Sequence, residues 1–342
     1  MLTVYSEDHR LHHARAELAG GLLVPAYEKP ERADFVLTRV KDVDLGPVVA
    51  PEDFGLAPVQ RVHDDQFLRF LETSWQEWAA EGYEGDAIPI VWPSRGMQQR
   101  VPEAIDAKLG YYAMAAETAI TSGTWQAARS SANVALSAQR QVQEGAQAAF
   151  ALCRPPGHHA ASDLYGGYCF LNNAAIAAQA FLDGGAGRVA ILDVDFHHGN
   201  GTQAIFYGRD DVLFASLHGD PRQAFPNFLG YADETGKGAG EGCNANYPLP
   251  PGTPFDAWSE ALAAACRRID DYGPDALVVS LGVDTFENDP ISFFKLKSDD
   301  FTSYGEVIGR LGRPTLFVLE GGYAVEEIGL NAVNVLSGFL EA

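Results

Sequence analysis

The sequence has few basic residues, few cysteines and no long apolar run. Its 24 lysines and arginines face 46 aspartates and glutamates, which gives a formal net charge of −22 at pH 7. Such a chain repels nucleic acid and anionic membrane surfaces, so neither is an expected partner. The acidity suits a cationic ligand, although solubility alone could also account for it. No stretch approaches the roughly 18 apolar residues that a membrane-spanning helix needs.

The four cysteines are isolated from one another. They are Cys153, Cys169, Cys243 and Cys266. None forms a C-x-x-C pair, and their spacing is not typical of a thiolate zinc site. Reduced thiols of this kind fit a cytoplasmic protein, with a periplasmic location as the alternative. The opening residues, MLTVYSEDH, lack the basic segment and apolar run of a signal peptide, so we predict a cytoplasmic location.

Short apolar runs followed by polar or glycine-rich segments indicate an α/β fold. The runs cover residues 148–152, 189–194, 212–217, 276–281 and 315–319. They are nearly continuous rather than alternating, as strands buried on both faces of a parallel sheet are. Helical stretches such as 172–182 and 257–271 lie between them, which predicts helices covering the sheet. In such folds ligands bind beyond the carboxyl ends of the strands.

A candidate metal site begins where one of these runs ends. Residues 191–201 read ILDVDFHHGNG, so Asp193, Asp195 and His197 are spaced two residues apart. In an extended segment they share one face, and Asp195 lies within about 7 Å of His197. Charged groups at the end of a buried strand are costly unless they are paired or bind a metal. A hydrogen-bonded strand end is the alternative to two metal ligands.

A second run, ALVVSLGVD at 276–284, brings Asp284 to the end of another strand. A lone aspartate there would most often cap a helix or a turn. Beside the first cluster, a third metal ligand is the better interpretation. One histidine and two carboxylates leave coordination positions open, as in catalytic sites. Because no thiolate takes part, the pattern favours Zn²⁺ or Fe²⁺ and does not separate the two.

Two further motifs supply groups for proton transfer and oxyanion binding. His158 and His159 end the segment CRPPGHH, and as neighbours they point in different directions. A neutral imidazole can take a proton from a metal-activated water and later pass one to a leaving amine. Tyr323 follows two glycines in LEGGY, and its phenol could donate to a developing oxyanion. The alternatives are a packed histidine pair and a packed tyrosine.

Five motifs in this order resemble the arginase–deacetylase superfamily, in particular histone deacetylases and bacterial acetylpolyamine amidohydrolases. They are RPPGHHA, GGYCFLNNAAIAA, ILDVDFHHGNGTQ, LVVSLGVDTFENDP and LEGGYAVEEIGLN. The segment VHDDQFLRFLE resembles the family's amino-terminal part, so the likeness covers nearly the whole chain. Two further segments, HGDPRQAFPNFLGYADETGKGAG and DTFENDPISFFKLKS, favour the acetylpolyamine amidohydrolase branch.

The resemblance implies one domain over residues 1–342, with an eight-stranded parallel sheet flanked by helices. It implies one Zn²⁺ per chain, with Fe²⁺ possible, held by Asp195, His197 and Asp284. It makes His159 the general base and acid, His158 its electrostatic partner, and Tyr323 the group that polarises the amide carbonyl. Arginases resemble the chain less, because their second metal needs carboxylates that are absent here.

Two residues would tune the histidines, and two potassium sites are implied by the resemblance. Asp193 would accept from His158, whereas Asn200 stands behind His159 where some relatives carry Asp. A neutral amide leaves an imidazole less basic than a carboxylate does. One potassium site would use Asp193, Asp195, His197, Ser216 and Leu217. The second would use Phe206, Arg209 and Val212.

The resemblance also bears on the substrate and on assembly. Gly167, Tyr168 and Phe225 match the walls of a narrow tunnel, which suits a methylene chain. Glu117 and Asp106 are candidates for binding a remote ammonium, although either could be a solvated surface charge. The loop at about 82–105 resembles an insertion through which acetylpolyamine amidohydrolases dimerise and narrow the entrance to the site.

We therefore expect an acetylpolyamine deacetylase acting on acetylputrescine, acetylcadaverine, acetylspermidine or acetylspermine. One alternative is a protein-lysine deacetylase with the same chemistry. Another is a non-catalytic protein that binds acetylated amines.

Overall fold

An eight-stranded parallel sheet forms the centre of the computed structural model, which describes residues 1–342. The ten strands of the chain are β1 (Leu2–Val4), β2 (Glu17–Ala19), β3 (Leu22–Val24), β4 (Val48–Val49), β5 (Ala148–Ala151), β6 (Val189–Asp193), β7 (Val212–Gly219), β8 (Asn244–Leu249), β9 (Ala276–Leu281) and β10 (Thr315–Leu319). The sheet has the strand order β4-β1-β5-β10-β9-β6-β7-β8, and β2 and β3 form a separate antiparallel hairpin. The predicted fold class is confirmed.

Helices cover both faces of this sheet. They are α1 (Glu31–Asp42), α2 (Ala57–Gln60), α3 (Asp65–Ala80), α4 (Ile105–Tyr112), α5 (Thr124–Gln143), α6 (Asn173–Asp183), α7 (Asn200–Phe206), α8 (Phe255–Tyr272), α9 (Ser298–Gly309) and α10 (Ile328–Glu341). Two short 3-10 helices occupy Glu7–Leu11 and Gly238–Gly240. No helix has the length and apolar character needed to cross a bilayer.

The near-continuous apolar runs arise because each central strand contributes side chains to two cores, one on each face of the sheet. On β6, Val189 and Ile191 belong to a core of 41 buried residues, while Ala190 and Leu192 belong to another of 40 on the opposite face. Strand side chains alternate between faces, so both sets must be apolar when both faces are covered. The first core includes residues of α5 and α6, and the second includes residues of α8, α9 and α10.

Three strands of the sheet and the hairpin lay outside the sequence pattern. β1 and β4 have three and two residues, too few to show a pattern. β8 reads NANYPL and lies at the edge of the sheet, where one side is less buried. The hairpin turns at Gly20 and Gly21, whose φ angles of 57° and 81° are ones that glycine adopts readily.

The strand order brings the carboxyl ends of β5, β10, β9 and β6 together in the middle of the sheet. Asp193 at the end of β6 pairs with Ser280 of β9, and Leu319 at the end of β10 pairs with Leu281. The segments that follow these ends carry the candidate site residues. All four cysteines are free thiols, and the cytoplasmic location stays a prediction.

Candidate active site

Asp195, His197 and Asp284 converge at the ends of neighbouring strands. Nδ1 of His197 lies 3.3 Å from Oδ1 of Asp195 and 3.0 Å from Oδ2 of Asp284. The candidate ligand atoms of the three residues lie within 4.8 Å of one another, and all three side chains are buried. Two carboxylates and one imidazole nitrogen at this separation are donors that suit one divalent cation such as Zn²⁺.

Backbone amides fix both carboxylates in place. The amide of Gly321, after β10, donates to Oδ2 of Asp195 at 2.8 Å. The amide of Phe196 donates to Oδ1 of Asp284 at 2.7 Å. These bonds come from different strand ends, so the ligand geometry depends on the order of the strands in the sheet rather than on one local segment.

The electrostatics of the three groups also fit a cation. Burial, reinforced by the charge of Asp195, raises the pKa of Asp284 to about 7. Burial disfavours the charged form of His197, yet the two carboxylates outweigh it and raise its pKa to about 10. The pKa of Asp195 is lowered because His158 and His197 outweigh its burial. The carboxylates thus need a positive charge between them, which a divalent ion provides.

Two glycines leave the space that this cluster occupies. A Cβ at Gly282 would lie 2.0 Å from Oδ2 of Asp195. A Cβ at Gly321 would lie 2.5 Å from Oδ2 of Asp195 and also 2.5 Å from Oδ2 of Asp284. Neither carboxylate can retreat without breaking its backbone hydrogen bond. Both positions therefore require glycine for steric reasons.

A second buried group, His158, Cys169 and Glu320, has the same donor separation but different chemistry. Burial raises the pKa of the Cys169 thiol well above its ordinary value, so it is not a thiolate ligand. His158 is already paired with Asp193, as described next. The first cluster is therefore the better metal site.

The adjacent histidines have different partners. Nδ1 of His158 lies 2.9 Å from Oδ2 of Asp193, whereas Nδ1 of His159 lies 2.6 Å from Oδ1 of Asn200. The amide nitrogen of Asn200 donates to the carbonyl oxygen of His159, so its oxygen is the atom that faces the ring. The Nδ1 atom of His159 therefore carries a proton, and its Nε2 is free to accept one.

These partners separate the charges of the two rings. Burial opposes protonation of His158, but Asp195 and Asp193 outweigh it and raise its pKa to about 10. Burial and the positive charges of His158 and His197 hold the pKa of His159 well below its ordinary value. The pair thus presents one imidazolium beside one neutral imidazole, with ring centroids 4.1 Å apart.

Tyr323, in the segment that follows β10, lines the same cavity as His159. Its amide donates to Oδ2 of Asp289 at 2.7 Å, and its side chain is only 7% exposed. Burial raises the pKa of its phenol well above the ordinary value, so the hydroxyl stays protonated and can donate a hydrogen bond. The structure thus places all three predicted catalytic side chains together.

A cavity of about 320 Å³ opens onto these groups. Its lining residues are Leu18, Glu117, His159, Gly167, Tyr168, Phe196, His197, Gln223, Ala224, Phe225, Ile291, Phe293 and Tyr323. The ring of Phe225 stands at 90° to that of His159, with centroids 5.1 Å apart. Six of the lining residues were not among the predicted ones: Leu18, Phe196, Gln223, Ala224, Ile291 and Phe293.

The two predicted ammonium-binding carboxylates lie in different surroundings. Glu117 lines the cavity, and its Oε1 accepts from the amide of Gly167 at 2.8 Å. Asp106 lies in the first turn of α4, where its carboxylate accepts from the amide of Ala107, and it is not among the lining residues. Its role stays a prediction.

Sequence reasoning also missed two buried carboxylates that support the site. Oε2 of Glu320 accepts from the amides of Gly157 and His158 at 2.6 and 3.1 Å, and burial raises its pKa to about 7. Asp289 binds the amide of Tyr323, and burial raises its pKa to about 6. An acidic residue directly after the apolar strand β10 was the available signal for Glu320.

The residues predicted for potassium binding lie on β6, β7 and α7 and just beyond them. Asp193 of β6 pairs with Ser216 of β7, and Leu217 follows on the same strand. The amide of Arg209 donates to the carbonyl oxygen of Phe206 at 2.9 Å. Both potassium sites stay predictions.

Comparison with known proteins gives one family over nearly the whole chain. The histone deacetylase domain matches residues 26–339. The chain is 65% identical to acetylpolyamine amidohydrolase 2 of Pseudomonas aeruginosa, covering 99% of this chain and 98% of that protein. It is 58% identical to acetylpolyamine amidohydrolase of Mycoplana ramosa, covering 99% of each. A crystal structure of acetylpolyamine aminohydrolase from Burkholderia pseudomallei superposes with a TM-score of 0.94, at 43% identity, over 99% of this chain and 98% of that one.

The requirement for glycine at position 321 can be tested without any substrate. We expect Gly321→Ala to weaken Zn²⁺ binding by roughly 10–100-fold or more, because its Cβ would displace both carboxylates. Titration calorimetry on chelator-treated protein measures this. Gly208→Ala is the matched control, since its Cβ meets only ordinary contacts at 3.7 Å. An unchanged affinity in Gly321→Ala would contradict the assignment of the ligands.

Proposed function

The chain belongs to the histone deacetylase family, and from that premise we propose that it hydrolyses acetylated polyamines to acetate and the free amine. The observation that carries the proposal is the convergence of Asp195, His197 and Asp284 beside a neutral His159 and a protonated Tyr323, at one end of a cavity. Relatives named acetylpolyamine amidohydrolase, similar over 99% of the chain, support this choice of substrate.

We propose that Oδ atoms of Asp195 and Asp284 and Nδ1 of His197 hold the metal, with Zn²⁺ first and Fe²⁺ as the alternative. The donor set contains no sulfur, and neither ion is disfavoured by it. When bound, such an ion supplies a Lewis acid that lowers the pKa of water and polarises a carbonyl. The two predicted potassium sites are part of the same proposal.

The proton path runs through His159. Its Nε2 accepts a proton as the water oxygen bonds to the acetyl carbon, because its Nδ1 is committed to Asn200. The same nitrogen then gives that proton to the amine as the carbon–nitrogen bond breaks. A neutral imidazole is required at the start, and the low pKa of His159 provides it.

The oxyanion is stabilised by Tyr323 and His158. The phenol of Tyr323 donates to the oxygen that gains charge in the tetrahedral intermediate. His158 contributes a positive charge, which Asp193 secures at 2.9 Å. This division of labour explains why one histidine faces a carboxylate and the other an amide: the first must stay charged, and the second must exchange a proton.

The cavity supports a linear substrate with a remote positive charge. Tyr168 and Phe225 offer flat walls for a methylene chain, and Glu117 lies among the lining residues. The net charge of −22 attracts polycations from a distance. We therefore propose acetylputrescine, acetylcadaverine, acetylspermidine and acetylspermine as substrates, with Glu117 and Asp106 binding the far ammonium.

A protein-lysine deacetylase is the competing function, since the chemistry is the same. A panel of these acetylated amines and an acetyllysine peptide, at equal concentration, separates the two. We expect faster turnover of the amines. Faster turnover of the peptide would reverse the assignment, and turnover of neither substrate with Zn²⁺ restored would favour a non-catalytic binding protein.

The role of the phenol has a direct test. Tyr323→Phe should lower kcat on acetylputrescine by roughly 10²–10³-fold, because it removes one oxyanion donor. Tyr304→Phe is the matched control, since Tyr304 is another buried tyrosine and its hydroxyl has no hydrogen-bond partner. Steady-state kinetics measures both variants, and a kcat of Tyr323→Phe equal to the control's would exclude this role.

We also propose that the loop at 82–105 forms a dimer interface and narrows the entrance. It carries Ile90, Val91 and Met97 at 75%, 49% and 59% exposure, and apolar side chains exposed together in one segment mark a candidate interaction surface. The indole of Trp92 donates to the carbonyl oxygen of Ala113 at 3.0 Å, so the loop is anchored to the segment after α4. An anchored apolar loop suits contact with a second copy of the chain.

The dimer is tested by changing the charge of this loop. Ile90→Glu should reduce the mass in solution from twice 36.9 kDa to 36.9 kDa, because a buried unpaired carboxylate is costly at an interface. Light scattering after gel filtration measures the mass. Leu340→Glu, on the exposed end of α10, is the control. A wild-type protein that is monomeric at micromolar concentration would refute the interface.

A further inference from the structure

We propose that Glu17 is a positioning residue that fixes Tyr168 in the cavity wall and so sets how tightly the site binds an acetylated amine. Glu17 belongs to the β2–β3 hairpin and is not among the residues that line the cavity. The inference deepens the proposed function and rests on it for its substrate readout. Its structural part, the Glu17–Tyr168 hydrogen bond, can be measured without substrate.

Tyr168 has a backbone conformation that needs support. Its φ angle is 66°, in the left-handed region that bulky side chains rarely adopt. Its amide donates to Oγ1 of Thr118 at 2.8 Å, and the preceding amide of Gly167 donates to Glu117. Unfavourable backbone conformations persist where surrounding contacts enforce them, and they cluster at functional sites. The backbone contacts hold one end of Tyr168 only.

Glu17 holds the other end. The hydroxyl of Tyr168 donates to Oε1 of Glu17 at 2.9 Å, and the amide of Tyr27 donates to Oε2 at 3.1 Å. Glu17 is 3% exposed, and a buried carboxylate is costly unless both oxygens are hydrogen-bonded. Burial also raises the pKa of the Tyr168 phenol, so the phenol is the donor. The tyrosine is therefore fixed at both its backbone and its hydroxyl.

Two successive residues of the hairpin contribute to the cavity in different ways. Successive residues of a strand point in opposite directions, so Glu17 faces inward while Leu18 lines the cavity. The ring of Tyr168 packs against that of Tyr323, with centroids 5.5 Å apart. Glu17 thus acts through Tyr168, which packs next to Tyr323, and does not itself contact the substrate.

Because of these contacts, Tyr168 keeps a fixed position in the cavity wall. If the hydroxyl loses its partner, only the backbone contacts still hold Tyr168, so its ring can move and its contact with a methylene chain loosens. His159, the carboxylate of Asp284 and the backbone amide of Tyr323 keep their own hydrogen bonds in that case. The loss should therefore appear in KM rather than in kcat.

The experiment is a double-mutant cycle on acetylcadaverine turnover with Tyr168→Phe, Glu17→Ala and the double variant. We expect each to raise KM about tenfold, as loss of a hydrogen bond to a charged group does, with kcat within about twofold. The double variant should be no worse than either single one, because both remove the same bond. Glu17→Gln should restore most of the wild-type KM, since its amide can donate to the phenol oxygen.

Tyr272→Phe is the control for loss of a phenol, because its hydroxyl donates to the carbonyl oxygen of Asp210, outside the cavity lining. A cycle of urea unfolding on the same variants reports the hydrogen bond independently. If the two substitutions changed the free energy of unfolding additively, the Glu17–Tyr168 hydrogen bond would be excluded. If the effects on the free energy of unfolding were non-additive but KM were unchanged, the positioning role would be excluded and the proposed function would remain. Absence of wild-type turnover would refute the proposed function, and the unfolding cycle alone would then decide whether Glu17 holds Tyr168.

Discussion

Two buried carboxylates that face one imidazole are the constraint on which the rest of this site depends. Asp195 and Asp284 come from neighbouring strand ends and cannot both be charged in the core without a cation between them. The sheet order, the amides of Gly321 and Phe196, and the absence of a Cβ at Gly321 all serve to hold these two groups at a fixed separation. A site held together in this way is preorganised for a metal rather than shaped by it.

One of these carboxylates, Asp195, also acts on the neighbouring histidines together with Asp193. Asp195 and Asp193 together keep His158 positively charged, and burial together with that charge holds the pKa of His159 low. Asn200 maintains the orientation of His159 without adding charge. Together with burial and the charge of Asp195, an aspartate behind one histidine and an asparagine behind the other favour different protonation states for the two rings.

The central strands and the grouping of Asp195, His197 and Asp284 could be predicted from the sequence, because the strands and the ends that carry these residues have local signals. Continuous apolar runs mark strands buried on two faces, and the spacing of Asp195 and His197 follows from extended geometry. β1 and β4 are too short for a pattern, and β8 at the edge is partly polar. Glu17, Asp289 and Glu320 were missed as supporting groups, because their partners Tyr168, Tyr323 and His158 lie 151, 34 and 162 residues away in the chain.

The central claim is that one ion occupies the space between Asp195, His197 and Asp284. The most direct measurement is anomalous diffraction at the zinc edge from crystals of the Zn²⁺-loaded protein. The account predicts a single strong peak per chain, with Nδ1 of His197 and one oxygen of each carboxylate at about 2.0–2.2 Å from it. A peak at His158, Cys169 and Glu320 instead, or none between the three proposed ligands, would contradict it.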